Sequence, residues 1–86
     1  MERNDLINEI TDFFVEYGLL SKSVNIDEIK SKIDEQLNDI PFIESLINTI
    51  ILKTRNGKAK NYIRIIKLLA ELEKVRLELE YMGYVL

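Results

Sequence analysis

Residues 59–82 read AKNYIRIIKLLAELEKVRLELEYM, and this stretch decides the fold. Within it Ile65, Leu68, Leu72, Val75, Leu79 and Met82 follow one another at intervals of 3, 4, 3, 4 and 3. That is the spacing of apolar a and d positions in a coiled coil, and it predicts one long α-helix with a seam along it. No proline or glycine falls before Gly83, so the helix is expected over about residues 59–82. The first half is broader, because Ile63, Ile66, Leu69 and Ala70 widen the apolar arc beyond half the circumference. The second half narrows to the seam plus Leu77.

Three shorter helices precede it. Leu6, Ile10, Phe13, Phe14 and Tyr17 recur at helical spacing. Asn4 or Asp5 can cap this segment and Gly18 can end it in a left-handed turn, which predicts a helix over 5–18. Asn25 and Glu28 have the spacing of a capping box, and Val24 and Ile29 that of a hydrophobic staple. Ile26, Ile29, Ile33, Leu37 and Ile40 follow as a narrow stripe, so a second helix is expected over 26–38. Pro41 suits an early helical position, where its missing N–H costs nothing. Ile43, Leu46, Ile47, Ile50 and Ile51 then give a third helix over 41–54. Arg55-Asn56-Gly57-Lys58 reads as a turn. No second strand exists to pair with any β-branched run. The expectation is one all-α domain over residues 1–86, a small four-helix bundle of helical hairpins with a long C-terminal helix.

At 1.5 Å per residue the last helix is roughly 36 Å long and the others roughly 20–22 Å. The overhang, about residues 73–82, still carries Val75, Leu77, Leu79 and Met82. Leaving such side chains in water forfeits roughly 1.5–3 kcal/mol each. A two-fold partner helix would cover them, so a homodimer is expected, with Leu72, Val75, Leu79 and Met82 at its interface.

Charge is segregated along the chain. Residues 1–52 hold 11 acidic and 4 basic side chains. Lys53, Arg55, Lys58, Lys60, Arg64 and Lys67 then follow with no acid among them. Lys60, Arg64 and Lys67 share a helix face. An acidic protein of net charge −3 thus presents a basic hairpin tip. Such a tip suits a phosphate backbone, an acidic protein surface or an anionic lipid surface, with Asn61 and Tyr62 placed to add base or sugar contacts. The competing reading is a face neutralised by the acidic helices of the same bundle. A pI near 4.9 argues against a dedicated non-specific DNA binder. Farther on, Lys67–Glu71, Lys74–Glu78 and Arg76–Glu80 have i,i+4 spacing.

The chain has no His and no Cys. That excludes the usual zinc sites, thiol chemistry, histidine acid–base catalysis and disulfides. Its three glycines stand alone, so there is no phosphate-binding loop. Asp27-Glu28 and Asp34-Glu35 could join Glu9, Asp12 and Glu16 in a Mg²⁺ cluster, but read better as an exposed acidic face. Helices two and three invite a helix-turn-helix reading. However, the second offers Glu44, Ser45, Asn48 and Thr49 with only Lys53 as a cation. No catalytic residue, metal, cofactor or small-molecule substrate is expected. The start, MERNDLINEI, lacks a basic segment followed by an apolar core, and no apolar run reaches the roughly 20 residues of a membrane span. A cytoplasmic location is therefore expected.

In size, acidity and helical content the chain resembles bacteriocin immunity proteins, antitoxins and phage or plasmid adaptor proteins. This resemblance is one of architecture, carries no motif, and implies a non-enzymatic binding protein. The function expected is a protein–protein interaction module, a small dimeric helical adaptor or inhibitor. The alternative is a nucleic-acid-binding regulator that uses the basic tip at 53–67.

Overall fold

A computed structural model describes residues 1–21, 23–56 and 61–85, with Tyr84 and Val85 described by their backbone. These residues form four helices, α1 (Arg3–Glu16), α2 (Ile26–Gln36), α3 (Ile40–Asn56) and α4 (Tyr62–Val85), and no strand. Each expected helix is present, and the ends shift by a few residues for identifiable reasons.

The first helix starts at Arg3, two residues before the expected 5, and neither Asn4 nor Asp5 caps it. Glu2 is the N-cap and makes no side-chain capping bond. The start is held by a tertiary contact instead. Arg3 Nε donates to Asp34 Oδ1 at 2.6 Å and Arg3 Nη2 to the Asp34 carbonyl at 2.6 Å, which ties α1 to α2. The other end behaves as Gly18 implied. Gly18 sits at φ +67°. Its N–H donates to the Val15 carbonyl at 3.2 Å, and the Leu19 N–H donates to that of Phe14 at 2.8 Å. This bond pair is a Schellman motif, and Leu19 closes it by packing on the core.

At the start of α2, Asn25 Oδ1 accepts from the Asp27 N–H at 3.0 Å and more weakly from the Glu28 N–H at 3.4 Å. The helix stops at Gln36 rather than 38, because the chain turns at Leu37, which is wholly buried. Asp39 then starts α3, accepting from the Ile43 N–H at 3.1 Å, with Pro41 in the first turn. The third helix runs on through Arg55 and Asn56, two residues read from the sequence as turn. Asn61 caps α4: its Oδ1 accepts from the Arg64 N–H at 3.1 Å. Residues 59 and 60, the expected start, lie outside the described residues, as do Gly57 and Lys58 of the expected turn. Gly83 does not stop α4, which continues to Val85. A helical glycine costs about 1 kcal/mol relative to alanine, too little to end a helix by itself.

The core draws on every helix. Leu6, Ile7, Ile10 and Phe13 of α1 meet Ile33 of α2 and Leu37 beyond it, Ile43, Leu46 and Ile50 of α3, and Ile65, Leu68 and Leu72 of α4. Phe13 stacks on Tyr17 with ring centroids 4.4 Å apart, so this aromatic pair is structural. Buried Thr11 is satisfied by donating to the Ile7 carbonyl at 2.8 Å. The third helix packs along α4, and α1 packs on both α2 and α4. The arrangement is an all-helical bundle with overall dimensions of 41 × 27 × 21 Å.

The long helix is covered farther than the length mismatch implied. Leu72 is wholly buried in the core of its own chain. Val75 and Leu79, both half-buried, also pack against this core. The reason is that two elements succeed one another along α4. Leu6 near the start of α1 and Leu37 after α2 both border the groove that holds Val75 and Leu79. Of the four residues assigned to the seam, only Met82 is largely exposed. No helix among the described residues is long and apolar enough to cross a membrane.

Candidate interaction surfaces on the long helix

Two surfaces are candidates for interaction: the basic segment around residues 53–67 and the outer face of α4. At the tip, Lys53 and Arg55 are exposed in the last turn of α3, where cations complement the helix dipole. Lys58 and Lys60 lie outside the described residues. Arg64 is turned inward onto α1. Its Nε donates to Glu9 Oε2 at 2.5 Å, and its Nη2 to Glu9 Oε1 at 3.2 Å and Asp12 Oδ2 at 2.7 Å. The hydrogen bonds that Arg64 donates to Glu9 and then to Asp12 raise the guanidinium pKa, against the lowering effect of desolvation. Arg64 therefore serves as a clamp between α4 and α1, and part of the tip is neutralised by the acidic first helix. Lys67 stays exposed beside it and, among the described residues, has no carboxylate within 4 Å. Asn61, which the sequence offered as a base contact, is the cap of α4. The sequence signal for that role was present, since Asn is among the preferred caps and Asn61 stands just before the apolar run of α4.

The carboxylates do not converge. Asp34 faces Arg3, and Glu9 and Asp12 face Arg64. Among the described residues no three acidic side chains come close enough to hold a metal ion.

The outer face of α4 carries the feature that the heptad reading passed over. Ile63, Ile66, Leu77 and Tyr81 are 70, 63, 51 and 71% exposed. With Ala70, also exposed, they fall within an arc of roughly 60° at 100° per residue. The buried Ile65, Leu68 and Leu72 and the half-buried Val75 and Leu79 occupy the opposite side. The helix is thus apolar on two faces, one built into the core and one facing water. The signal lay in the sequence as the broad arc of Ile63, Ile66 and Ala70 with Leu77 beyond it. It was legible as a second frame offset from the first.

Charges border this stripe on both sides. On one flank Arg76 joins Glu73 and Glu80. Its Nε donates to Glu73 Oε2 at 2.9 Å, its Nη2 to Glu73 Oε1, and its Nη1 to Glu80 Oε1 at 2.7 Å. The hydrogen bonds from Arg76 hold the Glu73 carboxyl below the usual glutamate range. On the other flank stand Lys67, Glu71, Lys74 and Glu78. The i,i+4 bridges Lys67–Glu71 and Lys74–Glu78 that the spacing suggested are not formed, whereas Arg76–Glu80 is. The chain matches no protein-family model, no curated protein and no solved structure.

Proposed function

We propose that this protein is a non-enzymatic interaction module, a small dimeric helical adaptor or inhibitor that acts by docking another macromolecule on the outside of α4. The observation that carries the reading is the stripe of Ile63, Ile66, Leu77 and Tyr81, each more than half exposed on a helix whose other side builds the core. Isolated exposed apolar residues are ordinary. A row of large ones along a single helix face marks an interaction surface. The lack of His and Cys and the pairing of Glu9, Asp12 and Asp34 with arginines support a binding role over a catalytic one.

The nucleic-acid reading has weaker support. Lys53, Arg55 and Lys67 are exposed, but Arg64 is committed to Glu9 and Asp12. Affinity capture from native cells distinguishes the two. A protein retained by the native chain and lost with Ile66→Glu and Leu77→Glu supports the docking role. Retention that ignores both substitutions but vanishes with Lys53→Glu and Arg55→Glu moves the site to the tip and defeats this proposal.

A further inference from the structure

The charges beside the outer stripe of α4 are ordered so that the face complements itself when reversed. Four pairs of residues are centred on Leu72 to within half a residue: Ile63 with Tyr81, Ile66 with Leu77, Lys67 with Glu78, and Glu71 with Lys74. The first two pairs are apolar and exposed. The last two pair opposite charges, and all four charged residues lie on one flank of the stripe. A two-fold axis crossing α4 at the level of Leu72 reverses the helix and keeps each flank facing the same flank of the copy. Lys67 then meets the Glu78 of the copy, Lys74 meets its Glu71, and each contact occurs twice. A parallel two-fold pairing would instead turn this flank toward the opposite one, where Arg76 is already joined to Glu73 and Glu80, and would form neither of these charge pairs.

The chain leaves these charges available. Among the described residues Lys67, Lys74 and Glu78 take part in no ion pair, and Glu71 has only the Met1 amino group at 3.6 Å. The other flank is already knit together by Arg76 with Glu73 and Glu80. Exposed Ala70, near the centre, is small enough to let two helix backbones approach.

We propose that the outer face of α4 pairs antiparallel with the same face of a second copy of this chain, about a two-fold axis at the level of Leu72. Such an isologous contact requires one surface to be complementary to itself, which the four pairs provide. The inference rests on the reading of this face as a docking surface and names what covers it in the free protein, a copy that a docking partner displaces. It also replaces the seam of Leu72, Val75 and Leu79, which is used within the chain. The stripe from Ile63 to Tyr81 is roughly 27 Å long, one helix contact, so the dimer is a reversible one.

Sedimentation equilibrium of the full chain tests this between roughly 1 and 500 µM, a span that brackets weak association. The native chain is expected to pass from monomer to dimer. Lys67→Glu turns two attractions into repulsions and should weaken the dimer about tenfold or more. The double variant Lys67→Glu/Glu78→Lys should recover to within about threefold, because only the antiparallel register re-forms the pair. Circular dichroism of each variant confirms that it is folded; all the substituted side chains are exposed. A native chain that stays monomeric overturns the pairing. So does dimerisation indifferent to Lys67→Glu, or a double variant that does not recover. None of these results removes the docking role, which fails separately if Ile66→Glu and Leu77→Glu leave capture of a protein partner unchanged.

Discussion

Replacing Leu72 by alanine separates a side chain that belongs to the core from one that belongs to a subunit seam. Leu72 is wholly buried with a single chain present, inside a cluster drawn from all four helices. Its truncation removes apolar contacts and leaves a cavity that neighbouring helices can fill only in part. Leu→Ala changes at such sites cost about 2.7–5 kcal/mol. Alanine is an equally good helix former, so the loss reports packing rather than propensity. A domain of 86 residues has a stability of roughly 4–13 kcal/mol, so the variant is expected to fold with much of its margin gone. At about 4–8 °C per kcal/mol, Tm should fall by roughly 11–40 °C, or far enough to leave the weakest case unfolded at room temperature. Urea denaturation followed by circular dichroism at a few micromolar and at a hundredfold higher protein concentration is the assay. The expected loss is the same at both concentrations, since the contacts removed lie within one chain. Ile66→Ala, at a position 63% exposed, should by contrast leave the dilute chain's stability nearly unchanged. A Leu72→Ala loss below about 1 kcal/mol, or one present only in the concentrated sample, refutes the placement of Leu72 in the core.

The two described glycines should respond to alanine with opposite signs. At Gly18, φ +67° is costly for any side chain, and Gly18→Ala should lower stability by about 1–2 kcal/mol although nothing lies within 4 Å of the added methyl. At Gly83 the space is equally open and the backbone is helical, so Gly83→Ala should raise stability by about 0.5 kcal/mol. Denaturant midpoints check both, and a shared sign would contradict one of the two backbone assignments. The carboxyl of Glu73 should titrate below an ordinary glutamate by carbon-detected NMR, and Arg76→Met should return it upward. Because its folded pKa is depressed, its contribution to stability is present above the unfolded value and fades as pH falls through the folded one. A Glu73 titration unmoved by Arg76→Met would show that the guanidinium bonds do not hold in solution.

The helices were legible because their signals are local. Asn25 caps a helix and Gly18 ends one whatever the rest of the chain does, since capping needs only neighbouring N–H and C=O groups. The errors at the helix ends arose where distant residues intervened. Arg3 joins α1 because Asp34, thirty-one positions away, receives its guanidinium. Gln36 ends α2 early because Leu37 is drawn into the core. Neither contact has a signature in the local spacing. Gly83 was over-read: a glycine ends a helix only where a left-handed turn closes on it, and the chain supplies that turn at Gly18.

The basic tip and the seam were harder to place because composition does not reveal which neighbour a side chain will meet. Six cations in fifteen residues, with no acid between them, are visible in the sequence. That Arg64 meets Glu9 and Asp12 depends on α1 packing beside α4. The bundle alternative named the right source of neutralisation, and α1 supplies it for this one residue.

The same dependence explains the seam. Heptad spacing finds an apolar face and is silent about what covers it, and a bundle core and a coiled-coil partner are satisfied by the same residues. Once α1, α3 and Leu37 cover Leu72, Val75 and Leu79, the heptads no longer argue for a partner. What remains outside the core is the other face of α4. Ile63, Ile66, Leu77 and Tyr81 contribute nothing to this core, yet burial of each would be worth roughly 1.5–3 kcal/mol, so the chain forgoes a large stabilisation by keeping them in water. A helix that needed only to complete the bundle would carry polar residues at these positions, as the outward faces of α1 and α2 do with Asn8, Lys32 and Glu35. The second apolar face therefore points away from the fold, and the proposed docking rests on it.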